Sequence, residues 1–168
     1  MKTNEDLQAA FAGESQANRK YTAWAEQAER EGHDGVAKLF RAVAAAETVH
    51  ALNHFRTMGM VNSTEENLKA AIGGEHYEVE TMYPDFLADA RAEEHRGAMR
   101  TFGWAWEVEK VHEKLYTQAL EDLETGEDGL VGKKIWVCDN CGHTHIGDEH
   151  PERCPVCNVH GKRFMLIE

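Results

Sequence analysis

The stretches AETVHA (residues 46–51) and EVEKVHEK (residues 107–114) each contain a Glu-x-x-His pair. Positions three apart share one face of an α-helix, so each pair projects a carboxylate and an imidazole in the same direction. Both pairs interrupt an apolar stripe at helical spacing, which normally faces the core. Four such stripes occur between residues 3 and 125, and the polar centres that interrupt them are Glu14, Glu47 with His50, Glu75 with Glu78, and Glu109 with His112.

These carboxylates need compensation, because burying an unpaired charge is costly and no Lys or Arg lies on the stripes. Metal cations would supply it. A Glu from each of two helices, with Glu-x-x-His from each of the other two, is the ligand set of a di-iron or di-manganese carboxylate bundle. The sequence therefore predicts a mainly α four-helix bundle around two metal ions.

The helical part is an internal repeat. In each half a single Glu is followed 33 or 34 residues later by Glu-x-x-His, and Tyr21 and Tyr83 follow the first Glu by seven and eight residues. We expect two similar hairpins, about residues 3–58 and 64–125, with the tyrosines hydrogen-bonded near the ligands. Pro84 removes a backbone hydrogen bond and is expected to kink the third helix.

All four cysteines lie in two Cys-x-x-Cys pairs, twelve residues apart: Cys138, Cys141, Cys154 and Cys157. Such pairs predict a tetrahedral thiolate site, whose metal is either zinc or a single iron. The Gly-rich stretch before them indicates a linker at residues 127–134. We therefore expect the bundle at residues 1–126 and a small β domain at residues 135–168.

The overall composition excludes some functions. Thirty acidic residues against eighteen basic ones give a formal charge of −12, which disfavours nucleic acid and anionic membranes as partners. No apolar run is long enough to span a bilayer. The N-terminal residues lack the apolar segment of a signal peptide, so a cytoplasmic location is expected.

The chain resembles the rubrerythrins over essentially its whole length. The matching stretches are AFAGESQANRKY, AETVHA, GEHYEVETMYP, EVEKVHEK and the CDNCG and CPVC pair. The resemblance implies a ferritin-like di-iron bundle followed by a rubredoxin-like Fe(Cys)4 domain, with iron at the four cysteines. It also implies that two irons are bound by Glu14, Glu47, His50, Glu75, Glu78, Glu109 and His112.

The resemblance further implies an oxidoreductase that protects against oxidative stress by reducing hydrogen peroxide to water. Electrons would pass from NAD(P)H, through a separate reductase or rubredoxin, to the cysteine-bound iron and then to the di-iron site. No nucleotide-binding fingerprint occurs in the chain itself. Glu78 and His50 would exchange as iron ligands, and Tyr21 and Tyr83 would assist. The alternatives are a ferroxidase or iron-handling protein with a structural zinc ribbon, and a purely structural helical dimer.

One feature concerns assembly. In a ferritin-like bundle the second and third helices run parallel, so their connection must climb the bundle. Levelling His50 with Glu75 requires a span of roughly 30 Å between Met58 and Thr64, at about 1.5 Å per residue. Six residues reach only about 21 Å when extended. We therefore expect a domain-swapped homodimer, in which helices one and two pair with helices three and four of a second subunit.

Overall fold

A computed structural model describes residues 1–167. The chain divides into two compact units, Met1–Asn62 and a second that begins at Ser63. The first unit, the first hairpin, consists of α1 (Lys2–Arg30) and α2 (Asp34–Thr57). Gly32 has a φ of 79° in the turn between them, a left-handed conformation that glycine adopts without steric cost.

Small side chains let the two helices of the first hairpin pack closely. The residues buried along their contact are mostly alanines: Ala25, Ala28, Ala37, Ala44 and Ala51. Larger apolar side chains lie instead on faces that remain exposed in the chain: Trp24, Val36, Leu39, Val43, Val49 and Leu52. The hairpin therefore has a thin core of its own and a considerable uncovered apolar surface.

The helical part of the second unit, the second hairpin, consists of four segments. They are α3 (Thr64–Tyr77), a π-helical turn (Glu78–Met82), α4 (Tyr83–Ala92) and α5 (Arg96–Glu124). Helix α5 packs antiparallel to the preceding segments and contacts each of them. The third predicted helix is thus present but divided by the π-helical turn.

Local signals explain the ends of these segments. Ser63 accepts a hydrogen bond from the Glu66 amide and donates its own backbone N–H to that side chain, so the expected capping box opens α3. Pro84 occupies the second position of α4, where a missing N–H is tolerated. The break before α5 falls at Glu94, whose φ is 54°, a conformation uncommon for a residue with a side chain.

The C-terminal part is a three-stranded antiparallel sheet in the order β2-β1-β3. The strands are β1 (Ile135–Cys138), β2 (Thr144–Ile146) and β3 (Phe164–Ile167), and a short 3-10 helix precedes β3. Its core is built from Phe164 and two cysteines, with Trp136 packed against them. A core this small relies on additional cross-links, such as a bound metal, for stability.

The expected fold class is confirmed in its main features: long helices followed by a small sheet that carries all four cysteines. The boundaries expected at residues 127–134 stay a prediction. Within the described residues, no helix combines the length and apolar character required to cross a bilayer.

Candidate metal centres

The first hairpin brings together Glu14, Glu47 and His50, which we call the first carboxylate group. One ligand atom from each lies within 4.8 Å of the others. Nδ1 of His50 is 3.0 Å from Oε2 of Glu47. A hydrogen bond between the two carboxyl groups raises the pKa of Glu14 and lowers that of Glu47.

The second hairpin repeats this arrangement in Glu75, Glu109 and His112, the second carboxylate group. Nδ1 of His112 is 2.7 Å from Oε2 of Glu109, and both side chains are mostly buried. Burial, together with a hydrogen bond to Glu109 and the charge of that residue, raises the pKa of Glu75 to about 7. The hydrogen bond to Glu109 also raises the pKa of His112.

The donor set of both groups fits a metal ion. Each group offers two carboxylates and one imidazole, contributed by two helices that pack together. Carboxylate with imidazole suits iron and similar divalent ions. The groups lie on regular helices, whose spacing of three residues aims Glu and His of each pair at one point. Without a metal, the hydrogen bonds between the paired carboxyl groups and those to the neighbouring histidine offset part of the repulsion between the carboxylates.

Glu78 stands apart from the second carboxylate group. It begins the π-helical turn, and it is not among the atoms that cluster within 4.8 Å of one another. Burial and the negative charge of Glu109 nevertheless raise its pKa, so its carboxylate faces the same region. The backbone from Glu75 to Glu78 is α-helical, since the Glu78 N–H donates to the Gly74 carbonyl, and the wider π-helical pattern begins only at Glu78.

Tyr21 and Tyr83 occupy equivalent places in the two hairpins. Tyr21 packs against Trp24 and Phe40, with ring centroids 5.5 and 6.2 Å away, and Tyr83 packs against Phe86 and Phe102, both at 6.3 Å. Burial and the charges of Glu78, Glu109 and Glu75 raise the pKa of Tyr83 to about 12. The Tyr83 side chain therefore lies within the electrostatic field of these carboxylates.

Asn18 is a site residue that the sequence pattern did not reveal. It is only 8% exposed, and its Nδ2 donates to the Ala44 carbonyl at 2.6 Å and to Thr48 Oγ1 at 2.7 Å. These bonds join α1 to α2 beside Glu14 and Glu47. A buried Asn on an Ala-rich stripe was the available signal, because such a residue requires polar partners.

The four cysteines form the third centre, the cysteine group. Their Sγ atoms lie within 4.8 Å of one another, with Cys138 and Cys157 3.7 Å apart and Cys141 and Cys154 3.5 Å apart. Metal–sulfur bonds of about 2.3 Å separate tetrahedral sulfurs by about 3.8 Å, so this cluster accommodates one metal ion.

The backbone of the cysteine group is built from two equivalent turns. Gly142 donates to the Cys138 carbonyl and Asn158 to the Cys154 carbonyl, each at 2.9 Å. Their φ angles are 85° and 60°, the left-handed conformation expected after each Cys-x-x-Cys pair. Burial raises the pKa of Cys157, but N–H donors from Val159 and Asn140 outweigh it and bring that pKa to about 7.

The sheet that carries the cysteine group contacts the second carboxylate group through Thr144. Nε2 of His112, on α5, lies 2.9 Å from Oγ1 of Thr144, on β2. The Thr144 hydroxyl is in turn 3.4 Å from the carbonyl of Gly142, the residue after Cys141. No local sequence pattern predicts this contact, since it depends on how the sheet packs against α5.

Comparison with known families accounts for both parts of the chain. The Rubrerythrin family model matches residues 5–120, and the rubredoxin-like domain model of rubrerythrin matches residues 136–165. The chain belongs to the rubrerythrin family. Both the helical part and the cysteine part thus match in the order that the sequence predicted.

Individual rubrerythrins match over nearly the full length. Rubrerythrin-2 of Clostridium acetobutylicum is 37% identical, over 98% of this chain and 96% of that protein. The rubrerythrin of Nitratidesulfovibrio vulgaris is 32% identical, over 99% and 94%. Among solved structures, fully reduced, all-ferrous nigerythrin matches with a TM-score of 0.57 and 33% identity, over 98% of this chain and 86% of that one.

As a rubrerythrin, the chain carries the ligand groups expected for its cofactors. The four thiols suit a rubredoxin-type centre, and the two carboxylate groups are of the di-iron type. The expected ferritin-like and rubredoxin-like fold class is confirmed by the two family matches.

Proposed function

We propose that this rubrerythrin is a non-haem iron peroxidase that reduces hydrogen peroxide to water. One observation carries the proposal. The chain contains two carboxylate groups of di-iron type and a four-thiol centre, and His112 of the second carboxylate group contacts Thr144, which lies beside the cysteine group. A two-electron reduction requires a site that binds the oxidant and a second centre that returns electrons to that site after each turnover. The chain offers ligands for both.

Iron bound at the carboxylate groups would supply the two electrons that, with two protons, convert one hydrogen peroxide into two water molecules. The proposed ligands are the two carboxylate groups together with Glu78. The protein's own contribution is to hold the other ligands on regular α-helices, which limits their reorganisation during turnover; these are Glu14, Glu47, Glu75, Glu109 and His112. Tyr83, a phenol whose pKa burial and the nearby carboxylates raise further, can donate a hydrogen bond toward the oxidant or to a ligating carboxylate.

Glu78 and His50 are proposed to exchange as ligands when the site changes oxidation state. Two features support the exchange. Glu78 lies on a π-helical turn outside the second carboxylate group, and π-helical turns occur often at functional sites. The His50 side chain is 55% exposed, against 26% for His112, so it is the less confined of the two histidines.

Electrons are proposed to enter at the cysteine group and to leave through the contact with α5. The order of groups is Cys141, Gly142, Thr144 and His112, and they are joined by the backbone and by hydrogen bonds of 3.4 and 2.9 Å. A separate reductase or rubredoxin would supply the electrons from NAD(P)H. A cytoplasm that keeps thiols reduced suits the four free cysteines.

A domain-swapped homodimer is proposed to complete the di-iron site. Helix α2 ends at Thr57 and α3 begins at Thr64, so the connection is as short as the sequence suggested. Its reach of about 21 Å falls short of the roughly 30 Å required within one chain. The uncovered apolar side chains of the first hairpin, such as Leu39 at 63% exposure, are suited to packing against a second copy.

The experiment that tests the function is reoxidation of the dithionite-reduced, iron-loaded protein. We expect hydrogen peroxide to reoxidise it faster than oxygen does, with three irons in each chain. Glu78→Ala should slow reoxidation by peroxide while the fold is retained. Zinc at the cysteine group, with oxygen as the faster oxidant, would instead support the ferroxidase or iron-handling alternative.

A further inference from the structure

The π-helical turn at Glu78–Met82 lacks one backbone hydrogen-bond donor, because the residue that would supply it is Pro84. The amide of Tyr83 donates to the Glu78 carbonyl five residues earlier, as a π-helix requires. Continued by one residue, that pattern pairs position 84 with the Val79 carbonyl. Pro84 has no N–H to donate. Val79 is only 7% exposed, so solvent has little access to the carbonyl left without this partner.

Trp106 supplies the missing donor from the neighbouring helix. Its indole Nε1 lies 2.8 Å from the Val79 carbonyl oxygen. The ring is held in turn by Lys110, whose Nζ lies 3.5 Å from the ring centroid, within the range of a cation–π interaction. A tryptophan N–H is donor only, so its pairing with a carbonyl that has lost a donor satisfies both groups.

We propose that Trp106 is a positioning residue, which secures the π-helical turn and thereby holds the Glu78 carboxylate toward the second carboxylate group. Glu78 begins the turn and directly precedes Val79, so the bond to Trp106 fixes the peptide between Val79 and Glu80, one residue beyond Glu78. The inference rests on the proposed function for the role of Glu78 in turnover, but the anchoring of the turn is a property of the protein alone.

A tryptophan that served only to fill space would behave differently. A space-filling ring loses little when replaced by another aromatic ring, whereas a donor to a buried carbonyl leaves that carbonyl unpaired when its N–H is removed. Trp106→Phe separates these roles because it keeps an aromatic ring and removes the N–H. Trp104→Phe is the matched control, since Trp104 lies on the same helix and also carries a cation, Arg100, over its ring.

Amide hydrogen exchange of residues 79–83 in the full chain tests the anchoring. We expect Trp106→Phe to accelerate exchange there about tenfold, and Trp104→Phe to leave it unchanged. The double variant Trp106→Phe with Pro84→Ala should regain protection, since the new N–H can donate to Val79. Unchanged exchange in Trp106→Phe, equal acceleration in Trp104→Phe, or failure of the rescue would overturn the proposal.

Two further measurements keep the test decisive. Should Trp106→Phe not fold, benzothienylalanine at position 106 keeps the ring shape and replaces N–H by sulfur, and the same acceleration is expected. With the iron-loaded dimer, Trp106→Phe should lower kcat for peroxide severalfold in the otherwise unchanged chain, and have no effect in a Glu78→Gln background. Equal effects in both backgrounds would overturn the link to Glu78. Absence of peroxide turnover in the unmodified protein would reject the function, while the exchange measurements still decide the anchoring.

Discussion

The imidazole Nε2 of His112 and the hydroxyl oxygen of Thr144 lie 2.9 Å apart, and the other ring nitrogen of His112 faces Glu109 at 2.7 Å. One end of the imidazole therefore contacts Glu109 of the second carboxylate group, and the other contacts Thr144 on the strand beside the cysteine group. With a metal at Nδ1 in place of the bond to Glu109, the proton would remain on Nε2, which would donate it to the Thr144 hydroxyl oxygen.

Replacing Thr144 by Val should weaken metal binding at the second carboxylate group. The isosteric change removes the hydroxyl that orients His112, and loss of such a partner typically costs about ten- to a hundredfold in metal affinity. Competition with a chelator measures the change. Thr144→Ser retains a hydroxyl and should behave like the unmodified protein, and equal affinities for the Val and Ser variants would contradict the role of the hydrogen bond.

Asn18→Ala should destabilise the first hairpin. The Asn18 amide donates to the Ala44 carbonyl and Thr48 hydroxyl in a site that is only 8% exposed. Its loss should lower the free energy of unfolding by about 1–3 kcal/mol. Chemical denaturation measures this, with Gln16→Ala, at an exposed position of the same helix, as the control. A similar stability for both variants would show that the buried bonds contribute little.

The metal-free protein should lose stability as the pH rises through neutrality. The pKa of Glu75 is about 7 in the fold against an ordinary value of 4.5, so the folded state holds the proton more tightly than the unfolded state does. This contribution is fully present below the ordinary pKa of 4.5 and is lost as the pH rises through about 7.

Melting temperatures of the metal-free protein between pH 4.5 and 8 test this dependence. Glu75→Gln should flatten the decline because an amide does not titrate. Glu80→Gln, at an exposed position nearby, should leave the decline in place. A decline of the same size in Glu75→Gln would assign it to other groups.

Removal of iron should lower the melting temperature. A ligand that binds only the folded state at a hundred times its Kd adds about 2.7 kcal/mol, which corresponds to roughly 5–10 °C for a chain of this size. Calorimetry of the loaded and metal-free forms measures the difference. In Glu47→Gln with Glu109→Gln the difference should shrink to the part that comes from the cysteine group. Identical melting temperatures of loaded and metal-free protein would argue against metal binding in the fold.

Complementation tests the proposed swap. Glu47→Ala disables the first hairpin of one chain, and Glu109→Ala disables the second hairpin of another. In a swapped heterodimer the two intact hairpins meet in one site, so random mixing should restore about a quarter of the unmodified activity. Without a swap every site retains one defect, and the mixture should be as inactive as either variant alone.

The features that could be predicted from the sequence are those that local residue spacing determines. The Glu-x-x-His pairs lie on unbroken α-helices, so a spacing of three was enough to anticipate that Glu109 and His112 converge. The two turns that hold the cysteines were also predictable from the sequence, because a short Cys-x-x-Cys spacing followed by a left-handed Gly142 or Asn158 defines each turn locally. These are features in which neighbours in sequence are also neighbours in space.

Tertiary contacts account for what the sequence did not reveal. The π-helical turn that begins at Glu78 was not predicted, and the Val79 carbonyl within it accepts a hydrogen bond from Trp106 on a different helix. The break near Glu94 carries no glycine, although its φ is positive, so its exact position was poorly marked. The contact of Thr144 depends on the packing of the sheet against α5, which no local pattern encodes.

The attachment of the cysteine sheet to α5 has a consequence for regulation by concentration. In the proposed dimer, the thiolate centre and the ligands Glu75, Glu109 and His112 belong to one polypeptide, while Glu14, Glu47 and His50 come from the other. A chain separated from its partner by dilution would accept an electron at the cysteine group but would lack a complete di-iron site to which the electron could pass. In the proposed dimer, electron transfer to hydrogen peroxide would therefore depend on the association of two chains.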